Sequence, residues 1–195
     1  DAISYSGILL ANEISYGKRI IPTYHFDKAK VIVSLDADFL GTWLSPIEFA
    51  SQYAAGRKID QKNPEMSKHI QFEGLLSLTG ANADERFLHR PSETGAVVLN
   101  LLAKLGANVN APAIADEKLK KGIELTAGLL NNNKGASLVV CGSNDPNIQV
   151  LVNAINELTG ANGTTINWSN PMQTRAGIDA DMEQLVKDMN PGAVS

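Results

Sequence analysis

The chain has 195 residues and a formal net charge of −4, with 44% hydrophobic and 19% charged residues. This composition is typical of a globular domain and excludes a disordered or collagen-like chain. No apolar run approaches the roughly 18 residues that a membrane-spanning helix needs. No arginine-rich stretch of the kind that follows a phosphate backbone occurs either. We therefore expect no direct membrane span and no nucleic-acid partner.

We interpret residues 1–195 as a single domain, because compact domains usually contain about 100 to 200 residues. The chain starts at Asp1 without an initiator methionine or a basic leader. This start favours a domain excised from a longer chain. Residues 190–195 resemble a loop and the first residues of one more strand.

The first elements are predicted from apolar spacing and from turn residues. A helix is predicted over 2–16, with Gly17 ending it, and residues 22–27 are predicted to form a loop. Residues 31–35 form a short apolar run, which predicts a buried strand.

The next helix has a clear start signal. Ser45, Pro46 and Glu48 supply an N-cap, a first-turn proline and a glutamate three residues after the cap. The helix is predicted to end at Gly56 and to have an apolar face formed by Ile47, Ala50, Tyr53 and Ala54.

Strands and helices alternate through the rest of the chain. Strands are predicted over 69–76, 85–89, 136–141 and 164–168, and helices between 92 and 106, over 116–131, between 146 and 160, and over 179–189. The alternation predicts an α/β fold with a three-layer, doubly wound, mostly parallel sheet and helices on both faces, as in Rossmann-like domains.

Two carboxylates follow the strand at 31–35, where the ligands of such sheets bind. Asp36 and Asp38 share a face if the segment is extended, so a pair for metal binding or proton transfer is one interpretation. Hydrogen bonding within the loop is the other. No third acidic or histidine ligand is close in sequence. We therefore predict no metal site and no catalytic residue.

Residues 141–146 join a strand end to a helix start, where backbone N–H groups favour an anion. Ser143, Asn144 and Asp145 are also preferred N-caps, which is the simpler interpretation. Cys141 is the single cysteine, so it cannot supply an internal disulfide or an iron-sulfur cluster. We expect it to be a buried apolar residue.

Two long and unusual runs, residues 22–43 and 77–86, resemble the molybdopterin-oxidoreductase-like domain in the iron-sulfur subunit of bacterial alternative complex III. Residues 83–91 with the helix after them, and residues 151–160, resemble the wider molybdopterin oxidoreductase superfamily. The resemblance implies that superfamily's Rossmann-like fold over nearly the whole chain.

The chain departs from the superfamily at both cofactor-binding turns. It has Asp36-Ala37-Asp38-Phe39 where the enzymes have Gly-x-Asn-Pro, and Pro91-Ser92-Glu93-Thr94 where they have Pro-Gly-Thr-Asp. Carboxylates beside a pyrophosphate repel it in a partly desolvated site, so no bound cofactor is expected. The degenerate loop positions that remain candidates for cofactor binding are Asp36, Asp38, Ser92, Glu93, Thr94, Ser143 and Asn144.

The resemblance implies a non-catalytic scaffold domain in a respiratory quinol-oxidising electron-transfer complex, on the periplasmic side of the bacterial inner membrane. Its implied partners are the iron-sulfur cluster domain of the same parent chain and the haem and membrane quinol-binding subunits. The alternative is part of a genuine oxidoreductase that uses molybdopterin guanosine dinucleotide on a small sulfur or oxo compound. A stand-alone nucleotide-binding domain is a third interpretation.

Overall fold

The computed structural model describes residues 3–59 and 64–190, and the strand start expected in the last residues lies outside this range. In chain order the elements are α1 (Ser6–Tyr16), β1 (Ile21–Tyr24), a 3₁₀ turn (Phe26–Lys28), β2 (Val31–Leu35), α2 (Pro46–Arg57), β3 (Lys68–Glu73), α3 (Leu78–Ala81), β4 (Glu85–Leu88), a 3₁₀ turn (Pro91–Glu93), α4 (Thr94–Lys104), α5 (Glu117–Asn132), β5 (Ser137–Cys141), α6 (Pro146–Leu158), β6 (Ile166–Met172) and α7 (Asp179–Met189). Of the helices in these ranges, none has both the length and the apolar character to cross a membrane.

A four-stranded parallel sheet forms the centre, with strand order β4-β3-β2-β5. All residues of β2 are buried, as expected for a strand paired on both sides. From β2 the chain builds outward through β3 and β4, then returns to place β5 on the other side of β2. The direction of winding therefore reverses between β2 and β5.

Helices cover both faces of the sheet, which confirms the predicted α/β class. On one face, apolar side chains of α4, α5 and α6 pack on Val33, Phe72 and Val139. On the other face, α1 and α2 pack on Ile32 and Val140. This second core also contains the stacked rings of two phenylalanines outside the helices, Phe26 and Phe39, whose centroids are 4.4 Å apart.

The predicted loop at 22–27 is wrong over its first residues. Ile21–Tyr24 is a strand that pairs antiparallel with β6 in a separate two-stranded sheet. Pro22 is typical of a loop because it lacks an N–H, but an edge strand accommodates proline where its register is irregular. The register between β1 and β6 shifts between Ile21 and Thr23. The last predicted strand, now β6, thus pairs outside the parallel sheet.

Helix α2 begins at Pro46 as predicted, but its buried face is different. The side chain of Ser45 makes no capping hydrogen bond, and Ile47 is 88% exposed. Tyr53 is buried as predicted, and Phe49, four residues before it, is buried in place of Ile47. At 100° per residue Ile47 lies on the opposite side of the helix from Phe49, so only one of them can face the core.

The outer edge of β5 is closed by side chains. The amide of Asn156 accepts from the Val139 N–H at 3.0 Å and donates to the Val139 carbonyl at 2.8 Å. Gln149 Nε2 donates to the Cys141 carbonyl at 2.9 Å. These bonds replace those of a neighbouring strand, so β5 ends the sheet.

The outer edge of β4 is open within the described residues. The N–H of His89 reaches the Glu73 carbonyl on β3, and backbone groups alternate in direction along a strand. The backbone groups of Arg86 and Leu88 therefore point away from β3. On that outer side, no other described residue forms a hydrogen bond with the backbone of Arg86 or Leu88. The Leu88 side chain is exposed.

The packing of α5 can be tested with a pair of glycine substitutions. A Cβ atom at Gly122 would lie 2.6 Å from the ring of Phe87. We expect Gly122→Ala to lower the free energy of unfolding by about 1–3 kcal/mol through overpacking. Urea unfolding followed by circular dichroism measures this change.

The matched control is Gly128→Ala in the same helix. Apart from its chain neighbours and the nearby backbone of α5, no atom of the described residues lies within 4 Å of the Cβ position at Gly128. This substitution should raise the free energy of unfolding by about 0.5–1 kcal/mol, because alanine is the better helix former. Equal effects of the two substitutions would contradict the described contact.

Candidate functional site

The carboxyl ends of the parallel strands form the candidate site. Parallel register brings Asp36 after β2, Gly74 after β3, His89 after β4 and Gly142 after β5 to the same edge of the sheet. Open α/β sheets bind ligands at this edge, where the direction of winding reverses. The position to examine is therefore the space between the loops that follow β2 and β5.

Asp36 is held by groups from three other segments. Its carboxylate lies 3.1 Å from the Gly74 N–H, 3.1 Å from His89 Nε2 and 3.3 Å from the Thr94 hydroxyl. Burial alone would raise the pKa of Asp36, but the hydrogen bonds from His89, Gly74 and Thr94 outweigh it and hold the pKa below its usual value. Asp36 is therefore ionised at neutral pH. We call Asp36, His89 and Thr94 the Asp36 latch.

The Asp36 latch is not arranged as a nucleophilic triad. Such a triad needs its hydroxyl and its carboxylate on opposite nitrogens of the histidine ring. Here Thr94 Oγ1, at 2.8 Å, and Asp36 both lie at Nε2, and the buried Nδ1 has no hydrogen-bond partner among the described residues. The His89 side chain is 0% exposed. The latch thus joins β2, β4 and α4, and no substrate reaches the ring.

Asp36 and Asp38 bind different partners, so the predicted alternative of a carboxylate pair is wrong. Asp38 Oδ1 accepts from the backbone N–H of Thr79 at 3.0 Å and from its hydroxyl at 2.8 Å. Thr79 Oγ1 in turn accepts from the Leu40 N–H at 2.9 Å. Hydrogen bonding within and between loops accounts for both carboxylates. Across residues 3–59 and 64–190 no group of three or more His, Cys, Asp or Glu side chains could hold a metal ion.

The three candidates after β4 have separate roles. Ser92 is exposed on the 3₁₀ turn before α4. Glu93 Oε2 accepts from the Arg90 N–H at 2.9 Å and so closes that turn. Thr94 is buried and reaches Asp36. Of the three, Thr94 is the one that the fold brings to the edge of β2.

Where the winding reverses, groups from Ser4, from the start of α1 and from the start of α7 converge around Asn144. Asn144 Oδ1 accepts from the Gly7 N–H at 2.8 Å, and its Nδ2 donates to Ser4 Oγ at 3.0 Å and to Asp179 Oδ2 at 3.2 Å. Ser6 Oγ also donates to Asp179 Oδ2, at 2.8 Å. The hydrogen bonds from Ser4, Ser6 and Asn144 lower the pKa of Asp179. We call Ser4, Ser6, Gly7, Asn144 and Asp179 the Asn144 plug.

Backbone contacts bring the same loops together. A Cβ atom at Gly142 would lie 2.3 Å from the carbonyl oxygen of Asp36, and one at Gly7 would lie 2.2 Å from the carbonyl oxygen of Asn144. Both positions therefore need glycine. Ser143 Oγ accepts from the backbone N–H of Asp145 at 3.2 Å, a local bond at the start of α6. The loops after β2 and β5 touch without a gap for a phosphate group at these atoms.

Sequence reasoning missed a buried polar row on β3. His69, Gln71 and Glu73 alternate along the strand and are all at most 2% exposed. Tyr53 OH lies 3.1 Å from His69 Nδ1, and Gln71 Nε2 donates to Glu73 Oε2 at 3.2 Å. The row ends in an ion pair between Glu73 and Arg86. The two-residue polar period in 68–73 was the available signal, but it is equally typical of a solvent-facing strand.

Burial sets the protonation of His69 and of its hydrogen-bond partner Tyr53. It lowers the pKa of His69 to about 4 and raises the pKa of Tyr53 to about 12. Both side chains are therefore neutral at pH 7.

The predicted burial of Cys141 is confirmed. The residue is 1% exposed, and burial raises the pKa of its thiol to about 12. Nucleophilic chemistry and metal binding need the thiolate, so Cys141 is chemically inert in this fold.

Comparison with known proteins adds no identification. No protein-family model matches the chain, and no curated protein gives a significant sequence match. The site is therefore interpreted from its own geometry.

The polar row makes stability depend on pH. The pKa of His69 is about 4 in the folded chain and about 6.5 in an unfolded chain. Between these values the unfolded state binds more protons, so the free energy of unfolding should fall as pH drops, by up to about 3 kcal/mol. Urea unfolding between pH 4 and 7 should show this slope in the wild type and lose it in His69→Gln. The control His25→Gln, at a half-buried position, should keep it, and a full slope in His69→Gln would refute the assignment.

A substitution in the Asp36 latch should lower stability at neutral pH, whereas protonation of His69 lowers it at acidic pH. Asp36→Asn should lower the free energy of unfolding by about 1–3 kcal/mol at pH 7, because charged hydrogen bonds are weakened. The lowered pKa of Asp36 means that this contribution is present above an unfolded pKa of about 3.9 and is lost as pH falls through the folded pKa. Asp181→Asn on α7 is the exposed control, with an effect within about 0.5 kcal/mol. Similar losses in both variants would contradict the latch.

Proposed function

We propose that this domain is a non-catalytic, molybdopterin-oxidoreductase-like scaffold in the iron-sulfur subunit of a respiratory quinol-oxidising electron-transfer complex. It positions the cluster-bearing domain of its subunit and the haem and quinol-binding subunits, on the periplasmic side of the inner membrane. The resemblance of residues 22–43 and 77–86 motivates the class of protein. The observation that carries the non-catalytic role is the Asn144 plug at the point where the winding reverses.

The donors that a dinucleotide would use are already bound within the chain. Phosphates bind to backbone N–H groups at strand ends and helix starts. At this edge three such N–H groups each bind a side-chain oxygen at 2.8 to 3.1 Å: Gly7 to Asn144, Gly74 to Asp36, and Asn147 to Asp145. An incoming phosphate would have to break these bonds before it could form its own.

Negative charge at this edge of the sheet also disfavours phosphate binding. The pKa values of Asp36 and Asp179 are both lowered, by the hydrogen bonds described above. Both are therefore anionic at neutral pH, and both residues adjoin the loop that follows β5, Asp36 at Gly142 and Asp179 at Asn144. A pyrophosphate at this position would meet carboxylates where a cofactor-binding site presents neutral amides or N–H groups. The alternative, a genuine molybdopterin guanosine dinucleotide enzyme, requires the plug to open and this charge to be offset.

The test uses the native complex. The iron-sulfur subunit should be purified from its membrane with its partners, and its iron, molybdenum and tungsten measured together with the fluorescence of oxidised pterin released on denaturation. We expect iron without pterin and without molybdenum or tungsten. Stoichiometric pterin and metal would overturn the scaffold proposal and make this edge part of an active site.

A double variant that lacks both carboxylates of the first turn separates effects on stability from effects on chemistry. Asp36→Asn combined with Asp38→Pro removes both carboxylates from the first turn. We expect a change in stability and in docking to partner subunits, because the bonds to Gly74 and Thr79 are altered, but no substrate turnover. Turnover by the unmodified domain would contradict the proposal.

A further inference from the structure

Helix α7 carries an apolar stripe that the described part of the chain leaves exposed. Met182, Leu185, Val186 and Met189 follow helical spacing on one side and are 59%, 44%, 50% and 58% exposed. None of the residues of α7 is buried. Helices shorter than about 12–15 residues are marginal in water without a packing partner. The stripe is therefore the face on which α7 would be stabilised by another surface.

The stripe borders a groove between α7 and the residues around Ser4. A cleft of about 450 Å³ lies between Ser4, Ile178 and the first turns of α7, with Met182 and Leu185 in its wall. The start of the helix is held by Asp179, which accepts hydrogen bonds in the Asn144 plug. The groove is thus presented by anchored elements at the edge of the domain.

Acidic side chains flank the stripe. On the helical projection Asp181 and Asp188 lie along one border of the stripe, and Glu183 lies beyond the other. None of the three forms a salt bridge with a cation in the described ranges. Lys187 lies on the far side of the helix from the stripe. The docking face is therefore apolar with a negative rim.

We propose that this α7 face binds an amphipathic helix of a partner protein whose apolar side is bordered by lysine or arginine. Residues spaced by three and four in both helices interlock as ridges and grooves, which is the usual way an apolar helix face is read. Basic borders on the partner complement Asp181, Glu183 and Asp188. A second copy of this chain would instead bring two negative rims together.

The test uses the intact chain and two synthetic helical peptides of about 18 residues. One alternates leucine at helical spacing with lysine, and the matched peptide has glutamate in place of lysine. The methyl signals of Met182 and Met189 report binding by NMR, with Met66 before β3 and Met172 on β6 as references outside α7. We expect the lysine peptide to shift the two α7 methyls with an affinity that falls as salt rises, and the glutamate peptide to leave them unchanged.

Variants locate the binding. Val186→Asp should weaken binding of the lysine peptide at least about tenfold, and its fold should persist because α7 has no buried residue. Ile47→Asp, which replaces an apolar side chain that is 88% exposed elsewhere, is the matched control and should bind as the wild type does. Three outcomes would overturn the proposal. They are equal binding of the two peptides, NMR shifts confined to signals outside α7, and unchanged binding of the lysine peptide by Val186→Asp. Concentration-dependent dimerisation that buries the two α7 methyls without peptide would also overturn it, in favour of a second copy. None of these readouts depends on the pterin and metal content of the complex.

Discussion

The parallel pairing of β2 with strands on both sides is the constraint on which the rest of the domain depends. It buries every residue of the strand. The carboxyl end of β2 therefore lies beside the loops that follow β3 on one side and β5 on the other. The chain turns there with Asp36 in the left-handed region, at a φ of 54°, and with Gly142 against its carbonyl group. At this edge Asp36 accepts from the Gly74 N–H after β3, and Asn144 accepts from the Gly7 N–H in α1. The latch and the plug therefore each satisfy a backbone donor that lies beside the turn.

The edge of the sheet therefore shows how an α/β architecture can keep the geometry of a binding site while its polar groups serve the fold. The N–H groups and the helix starts of such a site are present, but the N–H groups of Gly7, Gly74 and Asn147 already bind side-chain oxygens within the chain. A fold of this type hosts many activities and also none, so the assignment of function depends on these individual bonds. The same residues would be interpreted differently if the acceptors were absent.

Local patterns predicted the elements whose signals were strong. The run at 31–35 and the apolar spacing in α4 and α6 identify a buried strand and two helices because burial and periodicity coincide there. The strand at Ile21–Tyr24 was missed because Pro22 imitates a loop, and its partner β6 lies more than a hundred residues away. Sequence could not predict the different partners of Asp36 and Asp38 either, since Gly74, Thr79 and Thr94 reach them only through tertiary packing. Nor could the polar period of β3 reveal that α2 and α3 cover it.

The closed edge at β5 has a consequence for assembly. Exposed edge strands are templates on which other chains can add, and natural proteins limit that risk in various ways. Here the amides of Asn156 and Gln149 occupy the backbone groups of β5, while the backbone groups of Arg86 and Leu88 on β4 have no such cover in the described structure. Strand addition is thus confined to one end of the sheet, and any larger sheet built on this domain would grow in a single direction.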